Sequence, residues 1–292
     1  MLFLHIGWHE LLSTLKRLDP LLGIATAFCL FSLFVLGGFN IWVLLRSLYP
    51  IPFLGFMVAF LHSFSIGLIA PGQLGDASLT VFLRRIGVPL HKTGVAYLID
   101  KVITLGWFCV VSSYGVYLLA FDMPKQVGLF LLLLCILAAS GVSFVFWMRL
   151  SSTRTAKLLM SAIQPFWNTA EILFEKWYLP IANFSITLIK WLVMAASYEL
   201  AFLSFGTSVP WPFIAIIPVL STLIGYIPIS AGGVGTVEWS AVYWFSLVGV
   251  TKSDVLTVYI LLRAIQYAIA CGLMLFVPML HRSKLVEAEA KQ

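Results

Sequence analysis

PGQLGD (Pro71 to Asp76) and ISAGGVGTVEW (Ile229 to Trp239) are the stretches that decide the fold of this chain. Each follows an apolar run of membrane length and places a glycine cluster before a carboxylate. In hydrocarbon an unpaired backbone N–H or C=O costs several kcal/mol, so such breaks persist only when they are buried in protein or line a wet cavity. Two breaks in two halves of one chain are typical of transport-type membrane proteins, with the site between the halves.

The composition places the chain in the membrane class. Of its 292 residues, 61% are hydrophobic and 10% are charged, whereas soluble domains carry about 25% charged residues. Because a spanning helix needs about 20 apolar residues, we expect an all-α integral membrane protein with about eight transmembrane helices and two glycine-interrupted or re-entrant segments. The apolar runs, of which 236–249 is the shortest, are 21–45, 51–70, 93–119, 127–147, 181–205, 210–229, 236–249 and 254–279.

The net charge of +6 predicts an orientation. If the N-terminus is cytoplasmic and all eight runs cross, three basic residues (Arg46, Lys125 and Lys252) fall outside and twelve fall inside. This is the positive-inside bias that sets topology, and it also favours contact with anionic lipid headgroups. We therefore expect a multi-pass protein of the cell (inner) membrane with both termini cytoplasmic, membrane lipids as partners and no nucleic acid.

A coarse internal repeat organises the chain, which we expect to be a single polytopic domain over 1–292. The pseudo-repeats are 20–125 and 181–280, joined by a connecting span and an interfacial helix in 126–180, with a cytoplasmic tail in 281–292. With the connecting span counted, both halves start on the same side, which predicts a parallel repeat. If either short helix is re-entrant, everything that follows it is reversed.

Ionisable residues inside the spans are candidates for the site, because such groups usually face partners or a water-filled path. Asp100 and Lys101 are neighbours that point about 100° apart on a helix, so each should reach a different partner. Arg263 lies about 13 Å into the last span, where Glu238, Asp76 or Asp100 could neutralise it. An arginine fork also suits a phosphate. A structural salt bridge is the alternative in each case.

Two further charges share the fifth run but lie on opposite helix faces. Lys190 is expected to extend to the cytoplasmic end, whereas Glu199 is deeper and is a candidate for the site. The four cysteines and five histidines show no metal-ligand spacing, and AGGVG lacks the lysine of a nucleotide loop. We therefore expect no metal and no cofactor.

The glycine breaks are predicted to line the site. Glycine clusters bring backbone amides close to a ligand, and the helix that follows offers free N–H groups to an anion. Alternatively, Asp76 and Glu238 simply cap those helices, and the two roles are compatible. The glycines concerned are Gly72, Gly75, Gly232, Gly233 and Gly235.

These motifs resemble the family of lysylphosphatidylglycerol synthetase/flippase membrane domains over nearly the whole chain. Family members show Pro-Gly-x-x-Gly-Asp/Glu after the second span, a Glu-Arg pair in the next long helix, a later Pro-x-x-Gly-Gly-x-Gly-x-x-Glu and a late arginine. The chain departs from the family pattern at Leu79, where an arginine is usual, and at Thr104, where an aspartate is usual. The matching residues are Pro71, Gly72, Gly75, Asp76, Asp100, Lys101, Pro228, Gly232, Gly233, Gly235, Glu238 and Arg263.

The resemblance implies translocation of a lipid or lipid-linked headgroup between leaflets, without aminoacyl transfer. We therefore expect a flippase-like transporter and not an enzyme, with a polar cavity between the halves. The alternatives are a scaffold or regulatory subunit of a lipid or envelope pathway and, less favoured, a membrane-embedded lipid-modifying enzyme. A homo-oligomer or a partner membrane protein stays open.

Overall fold

The structure is a computed structural model that describes residues 18–68, 74–119, 154–226, 230 and 232–289; for 74–77, 154–163 and 276–289 it describes the backbone alone. These residues form nine helices and no strand, which confirms the all-α prediction. The predicted span at 127–147 lies outside them. The helices are α1 (Pro20–Leu48), α2 (Phe53–Gly67), α3 (Leu74–Arg85), α4 (Leu90–Leu119), α5 (Arg154–Glu175), α6 (Tyr178–Ser204), α7 (Trp211–Gly225), α8 (Thr236–Ser246) and α9 (Lys252–Glu289).

Helix length separates spanning helices from shorter ones. Within the described residues, α1, α4, α6 and the Lys252–Leu275 part of α9 are long and apolar enough to cross a membrane. The apolar helices α2 and α7 have 15 residues each, or about 22 Å at 1.5 Å per residue. That is short of the roughly 30 Å hydrocarbon core. The chain is therefore an all-α membrane protein in which long helices alternate with pairs of short ones.

The long helices α1 and α6 pack side by side in opposite directions. At one end, the Asp19 amide before α1 donates to the Ser204 carbonyl at the end of α6 (2.8 Å). Further along, Asn40 Nδ2 of α1 donates to Thr187 Oγ1 near the start of α6 (3.0 Å). The two halves thus begin on opposite faces of the membrane. The parallel repeat predicted from the sequence is wrong, and the reason lies in the short helices.

The first pair of short helices, α2 and α3, forms a hairpin that enters and leaves on one face. At the start of α4, Lys92 Nζ donates to the Leu48 carbonyl at the end of α1 (2.9 Å) and lies 5.6 Å from the Tyr49 ring centroid. The ends of the hairpin are therefore held together, and α2 and α3 pack against each other between them. We call α2–α3 the first hairpin, and the side it enters from the first face.

The second pair, α7 and α8, forms an equivalent hairpin on the other side. Phe202 near the end of α6 contacts Phe245 near the end of α8, with ring centroids 4.9 Å apart. Tyr198 of α6 contacts Tyr259 in the early part of α9 (5.2 Å). The ends of α6 and α8 and the start of α9 therefore share one side. We call α7–α8 the second hairpin and this side the second face.

The tips of the two hairpins meet inside the protein. Gly232 adopts φ +54°, and a Cβ added there would overlap the carbonyl oxygen of Leu68, the last described residue before the first break. Tyr267 of α9 also donates to that oxygen (3.2 Å). In addition, α4 packs on α7 and α9 packs on α2, so each half is locked to the hairpin of the other. The boundaries of the pseudo-repeats stay a prediction.

The connecting helix α5 packs against the first face. The ring of Phe166 closes on Gly94, where an added Cβ would lie 2.9 Å from it. Leu173 is fully buried, Ala170 packs beside it, and Trp177 is 69% exposed. The apolar face predicted for an interfacial helix is therefore used largely for contact with the bundle.

The re-entrant hairpins change which basic residues share a face of the membrane, compared with the arrangement predicted from the sequence. Because the hairpins do not cross, Arg46 lies on the same face as Lys92, and the orientation that assumed eight crossings is wrong on this point. The start of α1 and the far end of α9 lie on opposite faces, while residues 1–17 are outside the described range. On the first face are Arg46, Arg84, Arg85, Lys92 and Lys176, and on the second face is Lys252.

Cysteine labelling tests the two hairpins. In a variant without native cysteines, Pro50→Cys and Arg85→Cys should react with an impermeant maleimide from the same side of sealed vesicles, and Ser246→Cys from the opposite side. All three positions are exposed. Labelling of Pro50→Cys and Arg85→Cys from opposite sides would show that α2 crosses the membrane and would contradict the re-entrant fold.

Candidate functional site

An ion pair at the tip of the second hairpin forms the centre of the candidate site. Glu238 Oε1 accepts from Arg263 Nε (2.7 Å) and lies 2.6 Å from Arg263 Nη2. Arg263 is the twelfth residue of α9, which places it about 16 Å along a helix axis that rises 1.5 Å per residue. The pair therefore lies near the middle of the bilayer. Of the partners that the sequence left open for Arg263, the structure selects Glu238.

Glycines shape the loop that carries this carboxylate. Gly233 and Gly235 adopt φ +72° and +85°, in the left-handed region that residues with a Cβ rarely occupy. Gly235 then caps α8, and its amide donates to Glu238 Oε2 (2.7 Å). Arg263 Nη1 donates to the Gly232 carbonyl (3.0 Å). Glu238 thus caps its helix, as one of the two readings of the sequence held, and also pairs with Arg263; its role toward a ligand stays a prediction.

A cavity of about 230 Å³ opens beside this ion pair. The side chains of Arg263 and Glu238 are 19% and 8% exposed, so the pair is not sealed in a dry interior. Of the five guanidinium N–H donors, three are used in the described contacts and two remain for a ligand. The rest of the wall is mostly apolar. A charged group beside apolar walls suits an amphiphile. The lining residues are Val234, Gly235, Glu238, Leu256, Ile260, Arg263, Ala264 and Tyr267.

A second polar cluster ties three long helices together. Asp100 of α4 is 2% exposed. Its Oδ1 accepts from Nδ2 of Asn40 on α1 (2.8 Å) and of Asn183 on α6 (3.1 Å). Side-chain hydrogen bonds between membrane helices average about 0.6 kcal/mol each, so the cluster fastens the α1–α6 seam to α4. As expected, Asp100 does not pair with Lys101.

Asp100 also lines a small cavity of about 70 Å³. Lys101 and Lys190 line it as well, from α4 and α6, and Lys101 Nζ lies 5.3 Å from the Tyr97 ring centroid. Lys190 was expected from the sequence to extend to the cytoplasmic membrane surface, but it faces inward. This cavity combines two cations and one carboxylate from different helices.

A third cavity, of about 190 Å³, adjoins the cavity at Asp100, with which it shares Gly37 and Phe60. It is lined mostly by apolar side chains and also reaches Gln266 of α9. A continuous polar cavity between the halves stays a prediction.

The two halves place charges at equivalent helix positions. Asp76 is the third residue of α3, and Glu238 is the third residue of α8. Lys101 is the twelfth residue of α4, and Arg263 is the twelfth of α9. Each half therefore has one acidic residue at the third position of its second short helix and one basic residue at the twelfth position of the long helix that follows.

The remaining predicted site residues are only partly placed. Gly72 lies outside the described residues, and Gly75 and Asp76 belong to the first turn of α3, with their side chains outside the description. Glu199 is half-buried on α6 and lines none of the three cavities.

Sequence reasoning missed several residues that the site contains. The missed residues are Asn40, Asn183, Lys190 and Tyr267. A signal existed for the two asparagines, because each is an amide inside an apolar run, where an uncompensated polar group is costly. No signal in the sequence paired them with Asp100, since that requires three distant helices to meet.

Comparison with known proteins identifies the family. Residues 1–273 match the family model described as the lysylphosphatidylglycerol synthase TM region. A "UPF0104 membrane protein" of Methanothermobacter thermautotrophicus is 29% identical over 105 residues, which are 36% of this chain and 31% of that relative. The matched part of the chain thus spans about a third of the relative's length. The family match covers most of the chain, and the chain belongs to this family, as the motifs indicated.

The tip contact can be tested with a glycine pair. Gly232→Ala should lower the thermal unfolding temperature in detergent, because a Cβ at φ +54° overlaps the Leu68 carbonyl and the left-handed conformation alone costs about 1–2 kcal/mol. Gly272→Ala is the matched control, since nothing lies within 4 Å of an added Cβ there. Equal unfolding temperatures for the two variants would contradict the tip contact.

Proposed function

We propose that this chain, a member of the lysylphosphatidylglycerol synthase transmembrane-region family, moves an amphiphile with an anionic headgroup between the leaflets of the membrane. The observation that carries the proposal is the meeting of two re-entrant hairpins from opposite faces beside the cavity of Arg263 and Glu238. In this function the chain moves the lipid and carries out no chemical reaction on it.

The arginine cavity supports the choice of headgroup. Two guanidinium N–H groups remain beyond the contacts with Glu238 and Gly232, and a phosphate oxygen accepts from such groups in short, charge-assisted hydrogen bonds. Because Glu238 already neutralises Arg263, an anion must compete with a carboxylate and can also leave again. A transport site needs this reversible binding.

The apolar walls support the choice of an amphiphile over a free anion. Leu256, Ile260 and Ala264 lie on the same side of α9 as Arg263, because residues three and four apart share a helix face. A lipid could therefore place its headgroup at the guanidinium and its acyl chains along the apolar side. The third cavity, which adjoins the one at Asp100, is also lined mostly by apolar side chains.

Backbone polarity explains why hairpin tips suit such a path. Non-helical backbone at membrane depth is tolerated only where protein or a water-filled cavity satisfies it. The tip of the second hairpin lies between the short helices α7 and α8, and half-helix ends at membrane depth form the substrate sites of several transporter folds. The tip of the second hairpin places the N-terminus of α8 beside the arginine cavity.

Arginine substitution tests the proposal. In proteoliposomes with a headgroup-labelled anionic phospholipid, Arg263→Ala should slow leaflet exchange by about tenfold or more, because hydrogen bonds to charged groups contribute about 1.5–3 kcal/mol and 1.4 kcal/mol is tenfold. Arg263→Lys keeps the charge without the fork and should be intermediate. Arg46→Ala is the control, since Arg46 is exposed and stacks on Trp42 (4.8 Å) outside the cavities.

Two outcomes would count against the proposal. Wild-type vesicles that exchange the lipid no faster than protein-free vesicles would overturn it. Wild-type exchange by a folded Arg263→Ala variant would remove the arginine from the mechanism. Unfolding temperatures measured on the same samples distinguish a variant that has lost only the contacts of Arg263 from one that no longer folds.

We further propose that the chain lies in the cell membrane with its first face in the cytoplasm. Six basic residues with described side chains lie near the membrane surfaces. Five of them are on the first face, and Lys252 is on the second. Basic residues concentrate on the cytoplasmic side of membrane proteins. In intact cells an impermeant maleimide should therefore label Ser246→Cys and spare Pro50→Cys. The reverse pattern would contradict this orientation.

A further inference from the structure

Asp100 differs from the other buried acid of the site. Glu238 has Arg263 as an ion-pair partner, whereas the described residues give Asp100 only the amide groups of Asn40 and Asn183. Asp100 is 2% exposed and is the eleventh residue of α4, so it lies about 15 Å along the helix. A charge at that depth costs about 2.5–3.5 kcal/mol on insertion scales.

The asparagines around Asp100 have unused acceptors. Both N–H groups of each amide are engaged: Asn40 donates to Asp100 and Thr187, and Asn183 donates to Asp100 and to the Asn40 carbonyl. The Oδ1 atoms of Asn40 and Asn183 are buried and have no hydrogen-bond partner in the described structure. A buried acceptor without a donor costs about 1–3 kcal/mol. A protonated Asp100 would bring one more donor to this cluster.

We propose that Asp100, held by Asn40 and Asn183, is a proton-binding site that couples proton movement to headgroup movement. The proton would add to the free oxygen of the carboxylate and be donated to an asparagine Oδ1. In the charged state the two amides donate to the carboxylate, and in the neutral state one amide oxygen accepts from it. The accepting amide would turn over to do so and would give up its own donation to Asp100. The inference rests on the function proposed above.

The cavity beside Asp100 supplies the link to the headgroup. Lys101 and Lys190 line the same 70 Å³ space. Protonation of Asp100 removes one negative charge from that space and so favours an anion beside the two ammonium groups. By thermodynamic linkage, an anion there favours the protonated acid to the same degree. Proton and anionic headgroup thus bind together, which makes the coupling a symport.

The other titratable side chains that face the cavity at Asp100 come from two helices. From its own helix Tyr97 and Lys101 face the cavity, and from α6 Lys190 does. The lining residues from the other helices do not titrate in the physiological range: Gly37 and Ile41 from α1, Phe60 and Ser63 from α2, and Leu79 from α3. Among the described side chains of the cavity, Asp100 is the acid.

The test compares Asp100→Asn with wild type in proteoliposomes of the full chain. Asparagine has the shape of the neutral acid and still accepts from both amides, so the seam should be preserved. The probe is a headgroup-labelled anionic phospholipid. One experiment measures leaflet exchange without a gradient, and the other measures the leaflet asymmetry produced by an imposed pH gradient. Asp254→Asn, in the first turn of α9, is the control, because Asp254 lines none of the three cavities.

Wild type and Asp254→Asn should exchange the lipid and become asymmetric under the pH gradient. For Asp100→Asn, the response to the gradient, expressed relative to the variant's own exchange without a gradient, should be at least tenfold smaller than for wild type. A merely structural role for Asp100 would lower the unfolding temperature without separating these two readouts. An Asp100→Asn variant that responds like wild type would overturn the inference.

Other outcomes separate the two proposals. If wild type exchanges the lipid but responds to a sodium gradient or to no gradient, the coupling inference fails and the proposed function stands. If wild type does not exchange the lipid at all, the proposed function fails first. If Asp100→Asn does not fold, the reverse experiment is made on wild type. A lipid asymmetry is imposed on the vesicles, and a pH dye trapped in the lumen should then report a change of luminal pH. An unchanged dye signal would then overturn the inference.

Discussion

The contact between the two hairpin tips is the constraint on which the rest of the structure depends. Backbone groups that lie at membrane depth outside a helix must find partners in the protein or in water. Gly232 packs directly against the Leu68 carbonyl, and Tyr267 of α9 donates to that carbonyl. The two hairpins that meet here enter from opposite faces, so the contact joins halves of opposite orientation. The antiparallel α1–α6 pair follows from this.

The charged groups near the midplane are stabilised in two different ways. Arg263 and Glu238 neutralise each other at the tip of the second hairpin, and Glu238 also caps α8. Asp100 is held by two amides that join α1, α4 and α6. The proposed headgroup binding rests on the first cluster, and the proposed proton binding rests on the second.

The pseudo-equivalent positions of the charges relate the halves to one another. Asp76 and Lys101 occupy the helix positions of Glu238 and Arg263 in the other half. A mostly apolar cavity bounded by α1, α2 and α9 adjoins the cavity at Asp100. In transporter folds with inverted repeats, alternating access proceeds largely by movement of one repeat against the other.

The sequence by itself determined the membrane class, the helical content and the two breaks, because hydropathy and glycine placement act locally along the chain. It also singled out Glu238, Arg263 and Asp100, since a charge inside an apolar run is visible without a fold. Only the tertiary structure decided that the short helices return to the face they came from. Hydropathy measures how apolar a segment is, and a re-entrant helix is as apolar as a spanning one. The partners of Asp100, the inward position of Lys190 and the inversion of the halves depend on contacts between residues far apart in the chain, which no local pattern records.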